Sequence, residues 1–162
     1  AMNIDVKAFH EQFYQKICQA KLAPVLQTCE RVKKLGVHLE LTYLVIPGHN
    51  DTAKEIKGFC QWIVEKLGVD TPVHFSRFHP DYKMTDVTPT PLDRLLACHT
   101  AAKDAGLQYV YLGNIGHGDY DNTYCPSCRN LLVERYGFSA NIKGFTQEKC
   151  ASCGALIPIH IG

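Results

Sequence analysis

Two short cysteine pairs carry the clearest chemical signal in the sequence, Cys125-Pro126-Ser127-Cys128 and Cys150-Ala151-Ser152-Cys153. A CxxC pair lets two thiolates reach one metal while the amides of the knuckle donate hydrogen bonds to the sulfurs, and two pairs together close a tetrahedral four-sulfur site. Four soft sulfurs suit Zn(II), or mononuclear iron of the rubredoxin kind. Because all four ligands belong to one closed site, the metal is expected to be structural, with no open position for catalysis. Gly154 directly after the second pair suits a tight turn, whereas Arg129 and Asn130 follow the first. The remaining cysteines, Cys18, Cys29, Cys60 and Cys98, stand singly in segments expected to be helical. That distribution favours metal in a reducing compartment over a disulfide framework.

A second set of polar residues recurs where apolar runs end: Asp5 and Lys7, then His49, Asn50 and Asp51, then Arg77 and His79, then Asn114. Taken singly, each reads as a turn former or a cap. Their recurrence at the same end of successive strands makes them a rim on which a ligand site could be built. The segment His117 to Asp121 offers an imidazole and two carboxylates and has two readings, a second metal site or a linker. The bracketing Gly116, Gly118 and Asn122 favour the linker. His10, His38, His74, His99 and His160 follow no spacing pattern and receive no role, and Trp62 is expected on a helix face.

The elements that position this rim are organised around Leu39 to Asp51, whose near-continuous apolar run predicts a strand buried on both faces. Thr52-Ala53-Lys54-Glu55 then fits a capping box, with the Glu55 carboxylate reaching back to the cap. Ile56, Phe59, Cys60, Ile63, Val64 and Leu67 follow at helical spacing, and Gly68 closes the helix. Before this unit, Ala1 to Lys7 reads as a strand and Phe9 to Ala20 as a short helix buried through Phe9, Phe13 and Ile17. A second helix opens near Pro24, with Val25, Leu26, Cys29, Val32 and Leu35 inward and Gly36 at its end. After the unit, Val73 to Phe78 reads as a strand. Thr90-Pro91-Leu92-Asp93 starts a helix facing inward through Leu92, Leu95, Leu96, His99 and Ala102, and Gln108 to Leu112 gives a fourth strand. Three helices that each end in glycine shortly before an apolar strand are the short connections of a parallel α/β fold. The expected fold is therefore α/β, a partial (half) TIM-like barrel with parallel strands over residues 1–116. Residues 117–162 supply a linker and a C-terminal zinc ribbon, with strands over Leu131 to Tyr136, Phe138 to Ile142 and Ala155 to Ile161.

The chain has 162 residues, a formal net charge of +1 and 20% charged residues, so no global electrostatic pull towards nucleic acid or anionic lipid exists. The ribbon's Arg129, Arg135, Lys143 and Lys149 stand against Glu134 and Glu148, which leaves nucleic acid an unlikely partner. No apolar run approaches the roughly 20 residues of a membrane helix, and the expected location is the cytoplasm.

Several runs resemble one family when taken in order: NIDVK at 3–7, TYLVIPGHND at 42–51, SRFHP at 76–80, VYLGNI at 110–115 and TYCPSC at 123–128. Together they resemble radical SAM proteins of the AmmeMemoRadiSam type, relatives of pyruvate formate-lyase activating enzyme. The resemblance implies a partial (β/α)6 barrel in which a CxxxCxxC loop binds a [4Fe-4S] cluster and S-adenosylmethionine chelates the cluster's unique iron. It also implies cofactor-binding roles for Asp5 and Lys7 near the methionyl part and for His79 near the adenosyl part. A lysine can pair with the ligand's carboxylate, and an imidazole can hydrogen-bond a ribose hydroxyl. Where activating enzymes can carry an arginine on the fifth barrel strand, this sequence has Thr42.

No CxxxCxxC occurs here, and the glycine-rich turn expected to hold the substrate amino group is missing too. The sequence accordingly reads as the C-terminal half of such an enzyme, a fragment or a split subunit lacking the N-terminal half of the barrel. By this reading the intact parent is a radical SAM enzyme acting on a protein or peptide, and this chain alone is inactive. Two other readings compete: a non-catalytic zinc-ribbon binding module on a half barrel, and an aldolase-like or hydrolase barrel. The last suffers from the lack of any nucleophile beside a base.

Overall fold

The computed structural model describes residues 1–116, 118–137 and 139–159. The chain divides into two compact units, Ala1–Ile115 and Gly116–Gly162.

In the first unit four parallel strands, β1 (Met2–Asp5), β2 (Leu39–Val45), β3 (Val73–Arg77) and β4 (Val110–Gly113), lie side by side in chain order. That order, with no reversal of direction within the sheet, is the one a barrel wall has. The connections contain α1 (Glu11–Phe13) and α2 (Leu22–Lys34) before β2, α3 (Ala53–Lys66) before β3 and α4 (Leu92–Asp104) before β4.

The core lies between the sheet and its helices. Leu39, Leu41, Tyr43 and Val45 of β2, Val73 and Phe75 of β3, and Val110 and Leu112 of β4 pack against Cys29, Val32, Ile56, Phe59, Ile63, Leu95 and Ala102. The rings of Tyr43 and Phe59 lie 4.9 Å apart and anchor the middle of this layer. Strand β2 is not buried on both faces as its composition suggests, because Glu40, Thr42 and Leu44 alternate with the core residues and are only half-buried. They lie on the face opposite the helices, the side that becomes the lumen of a barrel.

Local capping departs from the sequence expectation in two places. Thr52 caps α3 by accepting from the Glu55 amide at 3.3 Å, but the Glu55 carboxylate does not reach back. It accepts instead from the Phe9 amide at 2.7 Å and lies 2.8 Å from the Tyr43 hydroxyl. A tertiary partner wins because the carboxylate is buried at that position and needs donors that solvent does not supply there. Thr90 likewise does not cap α4, whose cap position is Pro91. Its buried hydroxyl donates to the Val45 carbonyl at 2.6 Å and accepts from the Phe78 amide at 2.9 Å, tying the ends of β2 and β3 together.

Three expected inward faces are corrected as well. The segment after β1 makes one turn of α-helix and then a π-turn over Tyr14–Cys18, which advances the side chains relative to a 3.6-residue period. Tyr14 is therefore buried beside Phe13, while Ile17 is 47% exposed. In α2, Cys29 and Val32 are buried but Leu35, at the helix end, is exposed. In α4 the buried residues are Leu95, Cys98 and Ala102, with Leu92 exposed and His99 only half-buried.

The second unit has a three-stranded antiparallel sheet, β5 (Thr123–Tyr124), β6 (Leu131–Tyr136) and β7 (Ser139–Ile142), and a separate pair, β8 (Phe145–Thr146) and β9 (Lys149–Cys150). Cys125, Leu132, Val133, Phe145, Cys150 and Ile157 form its own small core. A strand over Ala155 to Ile161 is not formed among the described residues, where Leu156 makes a single bridge to Lys149. Phe138, His160 and Ile161, which the sequence reading placed in strands, lie outside the described residues. So does His117 of the second candidate metal group.

Candidate functional site

The cysteine pairs fold as two matching knuckles. In the first, the Cys125 amide donates to the Asn130 carbonyl at 2.8 Å and the Arg129 amide returns to the Cys125 carbonyl at 2.9 Å. In the second, Cys150 donates to Ala155 at 2.9 Å and Gly154 returns to Cys150 at 2.8 Å. The four sulfurs all lie within 4.8 Å of one another, with Cys125 to Cys153 at 3.7 Å and Cys128 to Cys150 at 3.6 Å. A tetrahedron with metal–sulfur bonds of about 2.3 Å has edges of about 3.8 Å, so the donor set fits one four-coordinate ion. Burial opposes ionisation of Cys150, yet the amides of Cys153 and Ser152 and the neighbouring thiols outweigh it and lower its pKa, while Cys153, hydrogen-bonded to the same thiols, is pushed up, so that without a metal the cluster favours one thiolate that its neighbours solvate. The thiolate is the form that binds a soft metal. Burial has the opposite outcome for the single cysteines, pushing Cys29 up to about 11 and Cys60 and Cys98 up to about 12, which keeps them protonated. Among the described residues the four cysteines are the one group of three or more such side chains whose donor atoms all lie within 4.8 Å of one another, and Asp119–Asp121 form a short 3-10 turn.

The polar rim of the first unit separates into residues that hold the backbone and residues that face outward. Asn50 is fully buried and uses its whole side chain: Oδ1 accepts from the Ile46 amide at 2.7 Å, while Nδ2 donates to the carbonyls of Lys7 at 2.7 Å and Leu44 at 2.8 Å. Asp51 accepts from the Gly48 amide at 2.9 Å, Arg77 donates to the Thr90 carbonyl at 2.8 Å, and Asn114 donates to the Arg77 carbonyl at 3.1 Å. These four build the loops at the C-terminal end of the sheet. Asp5 and Lys7 form an ion pair at the end of β1, each about half exposed, and the Lys7 amide is held by the Tyr14 hydroxyl at 3.0 Å. His79 stands exposed two residues beyond β3. The fold puts Asp5, Lys7 and His79 at the same end of the sheet, but β2 lies between their strands, and among the described residues no hydrogen bond or ion pair joins His79 to the other two.

The sequence reading missed a third arrangement, on the lumen side of the sheet. The Glu40 carboxylate lies 2.8 Å from His74 Nε2 and 3.1 Å from His38 Nε2, and the His74 and Tyr111 rings stack at 4.9 Å. The hydrogen bond from His74 holds Glu40 well below the usual carboxylate range, at about 2; burial opposes this, and His38 reinforces it. The available signal was period-two polarity, since Asn3, Asp5, Glu40, Thr42, His74 and Ser76 occupy alternate strand positions.

No family model matches the chain. An uncharacterized protein of Methanocaldococcus jannaschii is 47% identical over 161 residues, which is 98% of this chain and 48% of that protein. The chain thus spans about half the length of this curated relative. Among solved structures, a domain of pyruvate-formate lyase-activating enzyme from Bacteroides vulgatus superposes with a TM-score of 0.60 at 18% identity, over 69% of this chain and 66% of that one. A radical SAM methyltransferase from Sphaerobacter thermophilus superposes with a TM-score of 0.56 at 13% identity, over 68% of this chain and 32% of that one. The likeness at these identities is one of fold: the first unit has a radical SAM-like α/β architecture.

Proposed function

We propose that the chain is the C-terminal half of a radical SAM enzyme of the AmmeMemoRadiSam type, carrying part of the cosubstrate site and a structural metal centre. The observation that carries this reading is the sheet itself, four parallel strands in barrel order with Asp5 and Lys7 at the C-terminal end of the first and His79 just beyond the third. In that fold the chemistry gathers at the C-terminal ends of the strands. Lys7 is placed to pair with a ligand carboxylate, with Asp5 orienting its ammonium group, and His79 offers an exposed imidazole to a hydroxyl.

The chain does not itself fit a [4Fe-4S] cluster with an open iron. It lacks CxxxCxxC, and its four gathered cysteines form a closed set. In the whole protein such a cluster, held by residues outside this chain, would supply the electron that cleaves S-adenosylmethionine. The second unit holds zinc, or iron in its place, through Cys125, Cys128, Cys150 and Cys153. No helix among the described residues is long and apolar enough to cross a membrane. The whole protein, by this proposal, is a cytoplasmic enzyme acting on a protein or peptide. A second reading, a non-catalytic zinc-ribbon binding module, is favoured by one fact, that the second unit has a core of its own.

Titration of the labelled chain with S-adenosylmethionine, followed by NMR, tests the site. Resonances of Asp5, Lys7 and His79 should shift together, with a dissociation constant no tighter than about the millimolar range because the metal chelate is absent. Shifts confined to the second unit, or micromolar binding, would contradict the assignment.

A further inference from the structure

The lumen face of the sheet is polar where a packed barrel would be apolar. Parallel register sets Asn3 beside Glu40, then Asp5, Thr42, His74 and Tyr111 in one row, then Leu44, Ser76 and Gly113 in the next. Filled barrels place branched aliphatic side chains at such positions, layer upon layer. Here Leu44 is the one aliphatic side chain among these residues, and the polar ones bond sideways to one another. The Asn3 side-chain amide and the Thr42 hydroxyl lie 3.1 Å apart, and Glu40 bridges His38 and His74. A face of this kind is built to meet a polar ligand.

We propose that Glu40, flanked by His38 and His74 and bordered by the His74–Tyr111 stack, is a recognition site for a guanidinium group, such as an arginine side chain of a peptide. Each imidazole donates through Nε2 to one carboxylate oxygen, which leaves about half of the carboxylate's roughly four lone-pair positions for another donor. A planar guanidinium can use them in pairs and lie against aromatic rings, which an ammonium group does less well. The charges facing the site favour a cation. Strand β1 contributes Asp5, whose charge Lys7 offsets; β2 contributes Glu40, and the turn before it His38; β3 contributes His74 and β4 Tyr111. In this chain the side chains of Glu40 and His74 are 37% and 32% exposed. This site uses only the sheet face and stands whether or not the whole protein performs radical chemistry.

The test is NMR titration of the chain with N-acetyl-arginine amide. Saturable shifts centred on His38, Glu40, His74 and Tyr111 are expected. Binding should weaken at least tenfold in Glu40→Gln, and N-acetyl-norleucine amide should not compete. Should Glu40→Gln fail to fold, His74→Ala, which removes the ring stacked on Tyr111, should weaken binding in its place. Unchanged affinity in the folded variant, shifts centred elsewhere, or no saturable binding would each overturn the proposal.

Discussion

Arg129 and Gly154 occupy matching positions in the two knuckles, each following the second cysteine of its pair and each with left-handed backbone, at φ 64° and 72°. Glycine adopts that conformation freely, whereas an arginine there is strained. Arg129 carries its guanidinium 5.9 Å from the Tyr124 ring, a contact that partly offsets the strain.

The two positions should therefore respond oppositely to substitution. Gly154→Ala meets no atom within 4 Å of the added carbon, so its effect is purely conformational. It should destabilise the metal-bound unit by about 1 kcal/mol. Arg129→Gly should leave metal affinity equal or higher. Competition with a chromophoric chelator measures both, and a larger loss at Arg129→Gly than at Gly154→Ala would contradict the matched-knuckle account.

Removing one sulfur should empty the metal site and unfold only one unit. The first unit has its own core, centred on Leu41, Tyr43, Phe59 and Phe75, and the second is built around Cys125 and Cys150. In Cys128→Ser, elemental analysis should find the bound metal lost, and amide exchange should accelerate over 118–159 while protection of β2 and β3 persists. Loss of protection throughout would show that the units fold together.

Asn50 is the chief polar anchor of the first unit. Its replacement by alanine removes three short hydrogen bonds and leaves the Lys7 and Leu44 carbonyls and the Ile46 amide in need of new partners. The expected loss is about 2–4 kcal/mol in urea unfolding. A change below about 0.5 kcal/mol would mean that water replaces the side chain.

Acid stability should depend on Glu40. Its folded pKa of about 2 lies below the ordinary value of 4.5, so its stabilising contribution is full above pH 4.5 and is lost as pH falls through about 2. Wild-type protein should lose stability across that window more steeply than Glu40→Gln, as read from denaturant midpoints at successive pH values. Parallel curves for the two proteins would remove the ion-paired role from Glu40.

The sequence disclosed what depends on near neighbours. Thr52, the apolar positions from Ile56 to Ile63 and Gly68 define α3 from local spacing alone, and the cysteine knuckles are equally local. What escaped were relationships across long separations. Glu40 and His74 are 34 residues apart and meet only because β2 and β3 pair in parallel. The Glu55 carboxylate turns to Phe9, 46 residues away, where the sequence allowed a local cap. Ile17 and Tyr14 exchanged places for a different reason, since one π-turn shifts the period that the apolar pattern is read against. Arg129 in a left-handed turn is signalled only by its match to Gly154 in the other knuckle, because the knuckle geometry and not the residue type imposes the conformation.

The proposed role of this chain in completing a radical SAM barrel is tested most directly by the cleavage of S-adenosylmethionine by a protein of the Methanocaldococcus jannaschii relative's length that contains this chain. After anaerobic reconstitution with iron and sulfide and reduction by dithionite, 5′-deoxyadenosine should form. Lys7→Ala and His79→Ala should each lower its yield at limiting S-adenosylmethionine by tenfold or more, without changing cluster content. Absence of 5′-deoxyadenosine from a fully reconstituted protein, or yields indifferent to both substitutions, would contradict the account.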